Sequence, residues 1–256
     1  MAITGFFEHP GVIAMAHRGF SRAGLENSME AFGAAVDLGY RYVETDVHAT
    51  ADGVCVAFHD DTLDRVTDGT GRLRELPWAT VREAKIGGVA AIPRLDDLFE
   101  QWPDLRINID CKHPSAIGPL VDAIERHRAH ERVCVASFSD RTRRTVLRRL
   151  SAPAATSAGQ TQIAAFVLAS QARLGHLAAT TLQGVDCIQV PPSHARIPIV
   201  TRATISAAHA ASAQVHVWTI DEPSEMHALL DLGVDGILTD RADMLKNVLV
   251  QRNQWA

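Results

Sequence analysis

Residues 41–61, RYVETDVHATADGVCVAFHDD, combine the alternation of an extended strand with two acidic side chains on one of its faces. Every second residue of a strand points to the same side, so Glu44 and Asp46 project next to each other. Two unpaired carboxylates on one buried face would be costly, because charge is expensive to bury without a partner. A divalent cation would remove that cost, since hard cations favour oxygen ligands. This strand is therefore a candidate metal-binding strand.

Two histidines follow short apolar runs. Residues 54–58 form one such run, which ends at His59, and residues 12–16 form another, which ends at His17. Each run delivers an imidazole to the end of a strand, where a general acid or base can act. Arg18 follows His17 directly and adds a cation. His17 and His59 are therefore candidates for proton transfer.

Strand-like and helix-like segments alternate along the whole chain. Eight strands are predicted, at residues 12–16, 41–48, 105–112, 132–136, 153–157, 185–190, 214–220 and 236–239. A helix–Gly–strand junction recurs as LGYRYVET (38–45), LQGVDCIQV (182–190) and LGVDGILT (232–239). Such repeated junctions are typical of a closed barrel. A doubly wound open sheet is the alternative, but no GxGxxG motif follows the first strand. The sequence predicts an α/β fold, a (β/α)8 TIM barrel forming a single domain over residues 1–256.

The first helix is predicted within LENSMEAFGAAVDLG (25–39). Asn27 is a candidate N-cap, Glu30 completes a capping-box pattern, and Gly39 suits a left-handed C-terminal end. The remaining helices are predicted at residues 78–85, 93–102, 116–129, 139–150, 160–174, 201–212, 222–232 and 242–251. Residues 60–74 are polar, contain DGTG, and are predicted to form a loop.

In a barrel of this kind, the chemistry lies at the carboxyl ends of the strands. Asp110 and Lys112 end the third predicted strand, and Asp110 adds a third inward carboxylate to Glu44 and Asp46. Three carboxylates favour a metal, and an all-oxygen set favours Mg²⁺ or Ca²⁺ over Zn²⁺. The alternative is that Arg18 and Lys112 pair with these carboxylates. Trp218 lies near the end of the seventh strand, where it either walls a ligand or packs the barrel.

Composition narrows the range of partners. The net charge is −5 and the pI is about 6.2, which argues against a general nucleic-acid binder. No apolar run approaches the roughly 20 residues that span a bilayer, so no stable membrane insertion is expected. The N-terminal residues lack the basic and apolar regions of a signal peptide, so a cytoplasmic location is expected.

Four motifs together resemble the glycerophosphodiester phosphodiesterases. They are HRGFSRAGLENSMEAF (17–32), YVETDVHATADGVCVAFHDDTLDRVTDGTG (42–71), INIDCK (107–112) and VHVWTIDEPSEMHALLDLGVDGILTDRAD (215–243). Residues 113–210 carry little of the resemblance. Two positions depart from the family pattern: Asp110 stands where a Glu is usual, and Leu25 where a Pro commonly precedes Glu-Asn.

The resemblance implies a (β/α)8 barrel with a divalent cation, usually Ca²⁺ or Mg²⁺. It implies metal ligands at Glu44, Asp46 and Asp110. It further implies catalysis by His17 and His59, and phosphate contacts from Arg18 and Lys112.

The expected function is metal-dependent hydrolysis of small-molecule glycerophosphodiesters to glycerol 3-phosphate and an alcohol, by histidine acid–base catalysis. One alternative is a lysophospholipase D acting on lysophospholipids. It ranks second, because the loop PPSHARIP (191–198) shows no obvious lipid-binding pattern. The other alternative is a non-catalytic barrel that binds phosphorylated ligands. Absence of either histidine or of the carboxylates would favour it, but all of them are present in the sequence.

Overall fold

Eight parallel strands form the barrel in the computed structural model, which describes residues 5–21 and 23–255. The strands are β1 (Ile13–His17), β2 (Tyr42–Ala49), β3 (Arg106–Cys111), β4 (Val133–Ala136), β5 (Ala155–Thr156), β6 (Cys187–Val190), β7 (Gln214–Val217) and β8 (Gly236–Thr239). Each pairs with its neighbour along the chain, and β1 pairs with β8 with Ile13 opposite Gly236. A single parallel bridge from Ser157 to Cys187 joins β5 to β6. The predicted (β/α)8 barrel is confirmed.

Helices separate the strands as predicted. They are α1 (Met29–Asp37), α2 (Trp78–Val81), α3 (Leu95–Gln101), α4 (Ile117–Arg126), α5 (Asp140–Arg149), α6 (Gln160–Gln171), α7 (Gly175–Thr181), α8 (Arg202–Ala210), α9 (Pro223–Leu232) and α10 (Ala242–Gln251). The prediction of one helix over residues 160–174 is wrong in extent. The chain leaves α6 through Arg173, whose φ is +57°, and starts α7 at Gly175. A glycine weakens a helix interior, so the break falls beside it.

Several short elements accompany the barrel. One strand, Cys55–Ala57, pairs antiparallel with the end of β2. Two hairpins, Lys85–Ile86 with Ala90–Ala91 and Ser193–His194 with Ile197–Pro198, lie in segments for which no strand was predicted. Four 3₁₀ turns complete the set, at Gly5–Phe7, Leu73–Glu75, Pro114–Ala116 and His130–Arg132. The turn at Leu73–Glu75 begins inside the segment predicted as a loop.

The start of α1 differs from the prediction. Ser28, not Asn27, is the N-cap, and its Oγ accepts a hydrogen bond from the backbone N–H of Ala31 at 3.1 Å. The side chain of Asn27 is directed to β2 instead, so the predicted capping box with Glu30 is wrong. Gly39 has a φ of +91° just after the helix, which confirms the predicted left-handed end.

The amino end of the barrel is filled by aromatic side chains. Phe6 is fully buried in the turn Gly5–Phe7, and its ring centroid lies 5.3 Å from that of Tyr42 on β2. The hydroxyl of Tyr42 donates to the carbonyl of Phe6 at 2.7 Å. Apolar packing therefore closes this end, and polar inward side chains are left to the carboxyl ends of the strands, here called the mouth.

No helix within residues 5–21 and 23–255 has the length and apolar character needed to cross a bilayer. Residues 1–4, which belong to the N-terminal stretch considered for a signal peptide, lie outside the described residues.

Candidate active site at the barrel mouth

Three carboxylates lie on the adjacent strands β2 and β3, near their carboxyl ends. Asp46 is directly opposite Asp110 in the parallel register, and Glu44 is opposite Asn108. All three carboxylates are buried, and Asp110, the most exposed of them, is 7% exposed. The three residues that the sequence predicts as metal ligands therefore lie on neighbouring strands at the mouth, and their binding of a metal stays a prediction.

Two cations lie among these carboxylates. The Nζ of Lys112 is 2.7 Å from an oxygen of Asp46 and 2.7 Å from an oxygen of Asp110. The Nε of Arg18 is 3.2 Å from Asp46 but does not have hydrogen-bonding geometry. The backbone N–H of Arg18 donates to Glu44 at 3.2 Å. The ion pairs that the sequence left open as an alternative to a metal are thus present.

The carboxylates differ in how well their charge is compensated. Burial raises the pKa of Glu44 to about 8, and the charge of Asp46 adds to the shift. Burial also raises the pKa of Asp110, because it outweighs the effect of Lys112. At Asp46 the effect of burial is outweighed by Lys112 and Arg18, which lower the pKa. Lys112 is equally close to both aspartates. Arg18 adds to the lowering of the pKa at Asp46, whereas the charge of Asp46 adds to the effect of burial at Asp110.

His17 ends β1 and is held by an aspartate from the last strand. Its Nδ1 lies 2.7 Å from Oδ1 of Asp240, which follows β8. Its Nε2 lies 3.8 Å from Glu44, on the side of the carboxylates. Burial lowers the pKa of His17, but Glu44 and Asp240 outweigh burial and raise it above the ordinary value. The ring is therefore oriented at one nitrogen and faces the site with the other.

His59 has a comparable arrangement. The backbone N–H of Phe58 donates to the carbonyl of Asp46 at 2.9 Å, which brings the neighbouring His59 to the carboxylates. The Nδ1 of His59 lies 2.5 Å from an oxygen of Asp60. The Nε2 of His48 lies 3.1 Å from the carbonyl of His59. Both predicted catalytic histidines thus have Nδ1 beside an aspartate.

A chain of ion pairs joins the two sides of the mouth. Arg65 donates to Asp60 at 2.6 Å and to Glu26 at 2.7 Å. Arg18 in turn donates to Glu26 at 2.8 Å. The bond from Arg65 lowers the pKa of Asp60 to about 2. Arg65 therefore connects Asp60, which holds the His59 ring, with Glu26, which holds Arg18.

The turn after His17 requires glycine. Arg18 and Gly19 have φ values of +55° and +80°, in the left-handed region that glycine adopts most easily. A Cβ at position 19 would lie 2.6 Å from the carbonyl carbon of Ala31. This close approach to α1 explains the His-Arg-Gly order at the mouth.

Asn27 is a site residue that sequence reasoning missed. It is 1% exposed, has a φ of +58°, and donates from Nδ2 to Asp46 at 3.2 Å. The hydroxyl of Thr45 donates to Asn27 Oδ1 at 2.8 Å. The position of Asn27 before a helix favoured the interpretation as an N-cap. Only its hydrogen bond to Asp46 shows that its side chain holds a carboxylate of the site.

Phe138 is a second missed residue. It is 58% exposed, two positions beyond β4. Its ring centroid is 6.2 Å from that of Trp218 and 5.6 Å from the Nζ of Lys112. Trp218 follows β7 and also packs against the apolar barrel interior. Trp218 therefore packs against the barrel interior, and its role in walling a ligand stays a prediction. The overlooked signal for Phe138 was an exposed aromatic residue just past a strand.

The donor set fits a hard divalent cation in its chemistry. All three candidate ligands are carboxylates, and Oδ1 of Asp110 is buried without a hydrogen-bond partner. As the side chains stand, no three His, Cys, Asp or Glu side chains of the described ranges converge on one point. Lys112 bridges Asp46 and Asp110 at that place. The site therefore contains oxygen ligands that suit a hard cation, and the ammonium group of Lys112 lies between two of them, Asp46 and Asp110.

A family model and two relatives with similar sequences all bear the name of one enzyme family. A model of the glycerophosphoryl diester phosphodiesterase family matches residues 17–244. The chain is 47% identical over 251 residues to a Mycobacterium tuberculosis protein named probable glycerophosphodiester phosphodiesterase 2, covering 98% of this chain and 95% of the relative. It is 27% identical to a glycerophosphodiester phosphodiesterase of Caldanaerobacter subterraneus, covering 93% and 97%.

Solved structures share the fold. An Oleispira antarctica phosphodiesterase, in complex with the product sn-glycerol-3-phosphate, has a TM-score of 0.76 at 24% identity, covering 94% of this chain and 97% of that one. A glycerophosphodiester phosphodiesterase from Thermotoga maritima has a TM-score of 0.73 at 21% identity, covering 94% and 100%. These likenesses establish the same barrel.

Proposed function

The chain belongs to the glycerophosphoryl diester phosphodiesterase family, and on that premise we propose that it hydrolyses glycerophosphodiesters to glycerol 3-phosphate and an alcohol with two histidines as acid and base. The observation that carries the proposal is the pair of histidines at the mouth. Each has Nδ1 beside an aspartate, and both flank the carboxylates and Lys112. The alternative of a non-catalytic barrel is less well supported, because the 47% identical relative is named as an enzyme.

The cations of the site suit a phosphodiester anion. Lys112 and Arg18 lie at the mouth beside buried carboxylates, so they are held in place before a substrate arrives. A fixed positive charge next to the phosphate offsets its negative charge and stabilises the transition state. Glu44, Asp46 and Asp110 would hold a divalent cation, Mg²⁺ or Ca²⁺, which when bound supplies further positive charge to the phosphate oxygens.

The attacking oxygen comes from the substrate. Thr45 is fully buried and donates to Asn27, and Ser137 is buried and donates to the carbonyl of Cys111. Burial raises the pKa of the Cys111 thiol to about 12, so it is not a thiolate at neutral pH. The glycerol 2-hydroxyl, in contrast, lies next to the phosphorus and gains the advantage of proximity.

The two histidines then move the protons. One removes the proton of the 2-hydroxyl as its oxygen bonds to phosphorus, and the other protonates the alcohol oxygen as its bond to phosphorus breaks. Water opens the cyclic phosphate with the roles exchanged, which yields glycerol 3-phosphate. Asp240 and Asp60 keep the two rings oriented throughout.

The test is a panel of glycerophosphodiesters that differ in the alcohol, with a lysophospholipid as one member and a 2-deoxy analogue as another. We expect glycerol 3-phosphate from the water-soluble diesters, with Mg²⁺ or Ca²⁺ present. The 2-deoxy analogue should bind as a competitive inhibitor and turn over far more slowly. Hydrolysis of the analogue at the rate of the natural diester would contradict attack by the substrate hydroxyl. Preference for the lysophospholipid would favour the lysophospholipase D alternative.

A further inference from the structure

Four large aliphatic side chains are exposed near the C-terminal end of α6. Leu168 is 68% exposed, Leu174 and Leu177 are each 52% exposed, and Ile197 is 54% exposed. These four are called the 168–197 patch. Large aliphatic residues that are exposed in one neighbourhood mark interaction sites more often than single exposed ones do.

Hydrogen bonds hold the parts of the patch together. The side chain of Gln171, at the end of α6, donates to the carbonyl of Pro198 at 3.1 Å. This bond ties α6 to the hairpin that carries Ile197. The backbone N–H of Leu174 donates to the carbonyl of Ala169 at 2.9 Å, so the chain folds back directly after α6. Leu177 lies one helical turn beyond Leu174.

The patch lies in the basic part of the chain. Residues 141–220 contain eight arginines and a single acidic residue, whereas the whole chain has 30 acidic and 25 basic residues. Arg173, Arg196 and Arg202 are exposed around the patch. None of these three forms an ion pair with a carboxylate among the described residues. The one acidic residue, Asp186, is partly buried and accepts from the backbone of Thr156. The patch is therefore apolar with a basic border.

We propose that the 168–197 patch docks on the surface of an anionic phospholipid bilayer. Aliphatic side chains bordered by arginines are the pattern of interfacial membrane binding, in which the apolar groups enter the headgroup boundary and the cations meet anionic lipid. A protein partner is favoured less, because interface centres are enriched in aromatic residues, and the patch has none. The positive charge complements an anionic lipid surface, while the rest of the chain carries the opposite sign.

The patch is connected to the mouth by one helix. The backbone N–H of Gln160, the first residue of α6, donates to the carbonyl of Phe138 at 2.9 Å. Phe138 lies beside Lys112 and Trp218. Helix α6, 12 residues and about 18 Å long, runs from there to the end that carries the patch. The binding surface does not depend on the chemistry proposed above and is tested without it.

The test is co-sedimentation of the full chain with vesicles at low ionic strength. Vesicles of phosphatidylglycerol and phosphatidylcholine in equal parts are compared with vesicles of phosphatidylcholine alone. Two variants alter the surface: Leu174→Ser/Leu177→Ser removes apolar side chains, and Arg173→Glu/Arg196→Glu reverses charge. Two matched controls alter exposed residues elsewhere: Val89→Ser/Val250→Ser, with 72% and 51% exposure, and Arg82→Glu. Circular dichroism establishes that each variant is folded.

We expect binding to the anionic vesicles that weakens with salt and is at least about tenfold weaker on phosphatidylcholine. The leucine variant should lower the partition coefficient by about tenfold or more. The arginine variant should lower it by about fivefold for each charge. Both controls should bind like the wild type.

Absence of sedimentation with anionic vesicles overturns the proposal, as does equal binding by the patch and control variants. A concentration-dependent dimer without vesicle binding, lost in Leu174→Ser/Leu177→Ser, also overturns it and assigns the patch to a second copy of the chain. If one double variant does not fold, the other decides the outcome together with its control.

Discussion

His17 and Asp240 are 223 positions apart in the chain, yet Nδ1 of His17 lies 2.7 Å from Oδ1 of Asp240. The pairing of β1 with β8 causes this proximity, because Ala16 is opposite Thr239 and the residues that follow them meet at the mouth. Asp240 is itself fixed, since its backbone N–H donates to Asp221 at 2.9 Å. We infer that Asp240 positions the His17 ring.

Asp240→Asn should therefore lower kcat by about tenfold or more, with little change in KM, because the ring loses its charged partner while the phosphate contacts remain. The measurement is steady-state kinetics on a water-soluble glycerophosphodiester. In a His17→Ala background, Asp240→Asn should have almost no further effect, since the two residues act as a unit. Independent, multiplying effects of the two substitutions would contradict the positioning role.

His17→Ala and His59→Ala should each lower turnover by about 10²-fold or more, which is the scale of general acid–base catalysis. His209→Ala is the matched control. His209 also pairs with an aspartate, its Nε2 being 2.7 Å from Asp235, but this pair precedes β8 and lies away from the mouth. Kinetics are compared at equal concentrations of folded protein. Wild-type turnover in either site variant would remove that histidine from the mechanism.

Removal of divalent cations with a chelator should lower activity by about 10²-fold or more, because a cation at a phosphoryl oxygen contributes several kcal/mol to transition-state stabilisation. Addition of Mg²⁺ or Ca²⁺ should restore the activity. Calorimetric titration with each metal provides a readout apart from activity. Asp110→Asn should weaken the binding, whereas Asp122→Asn, on the exposed face of α4, should not. Full activity of the chelator-treated protein would contradict a metal site at Glu44, Asp46 and Asp110.

Asn27→Ala should lower the free energy of unfolding by about 2 kcal/mol. The substitution leaves the buried Thr45 hydroxyl without its acceptor and places alanine at a φ of +58°. Asn253→Ala is the control for the backbone, because Asn253 has a φ of +54° and is exposed. Denaturant unfolding gives both values. Equal losses in the two variants would mean that the contacts of Asn27 add nothing to stability.

Arg65→Met should destabilise the fold by about 1 kcal/mol near neutral pH, because exposed ion pairs contribute little more than that. Arg65 lowers the pKa of Asp60 from 3.8 to about 2, so the stabilisation is present above about pH 4 and is lost as the pH falls through 2. Unfolding curves of the variant and the wild type should therefore converge in acid. Arg72→Met is the control, because Arg72 makes only longer ion pairs, at 3.6 Å with Asp61 and 3.9 Å with Glu75. It should lower the free energy of unfolding much less than Arg65→Met does. A difference that is undiminished at pH 2 would exclude this origin.

Local sequence patterns were enough to predict the barrel and the positions of several candidate site residues. Alternation in β2 placed Glu44 and Asp46 on one face. The alternation of strand-like and helix-like segments predicted eight strands in the correct order, and the repeated helix–Gly–strand junctions favoured a closed barrel. These features are local, since strand period and turn chemistry depend on neighbouring residues. The same local signals placed His17, Lys112 and Trp218 at strand ends. Their catalytic and binding roles remain predictions.

Tertiary structure alone decided which side chains meet. The contact of His17 with Asp240 requires β1 and β8 to pair. The series of ion pairs His59–Asp60–Arg65–Glu26–Arg18 joins two distant stretches of the chain, residues 18–26 and 59–65. Asn27 resembled a helix cap because it directly precedes a helix. Its side-chain amide instead donates to Asp46 on β2, and no local sequence pattern predicts that contact. Hydrogen bonds and ion pairs act only over a few ångströms, so such partners are set by the packing of distant segments and not by their spacing in the chain.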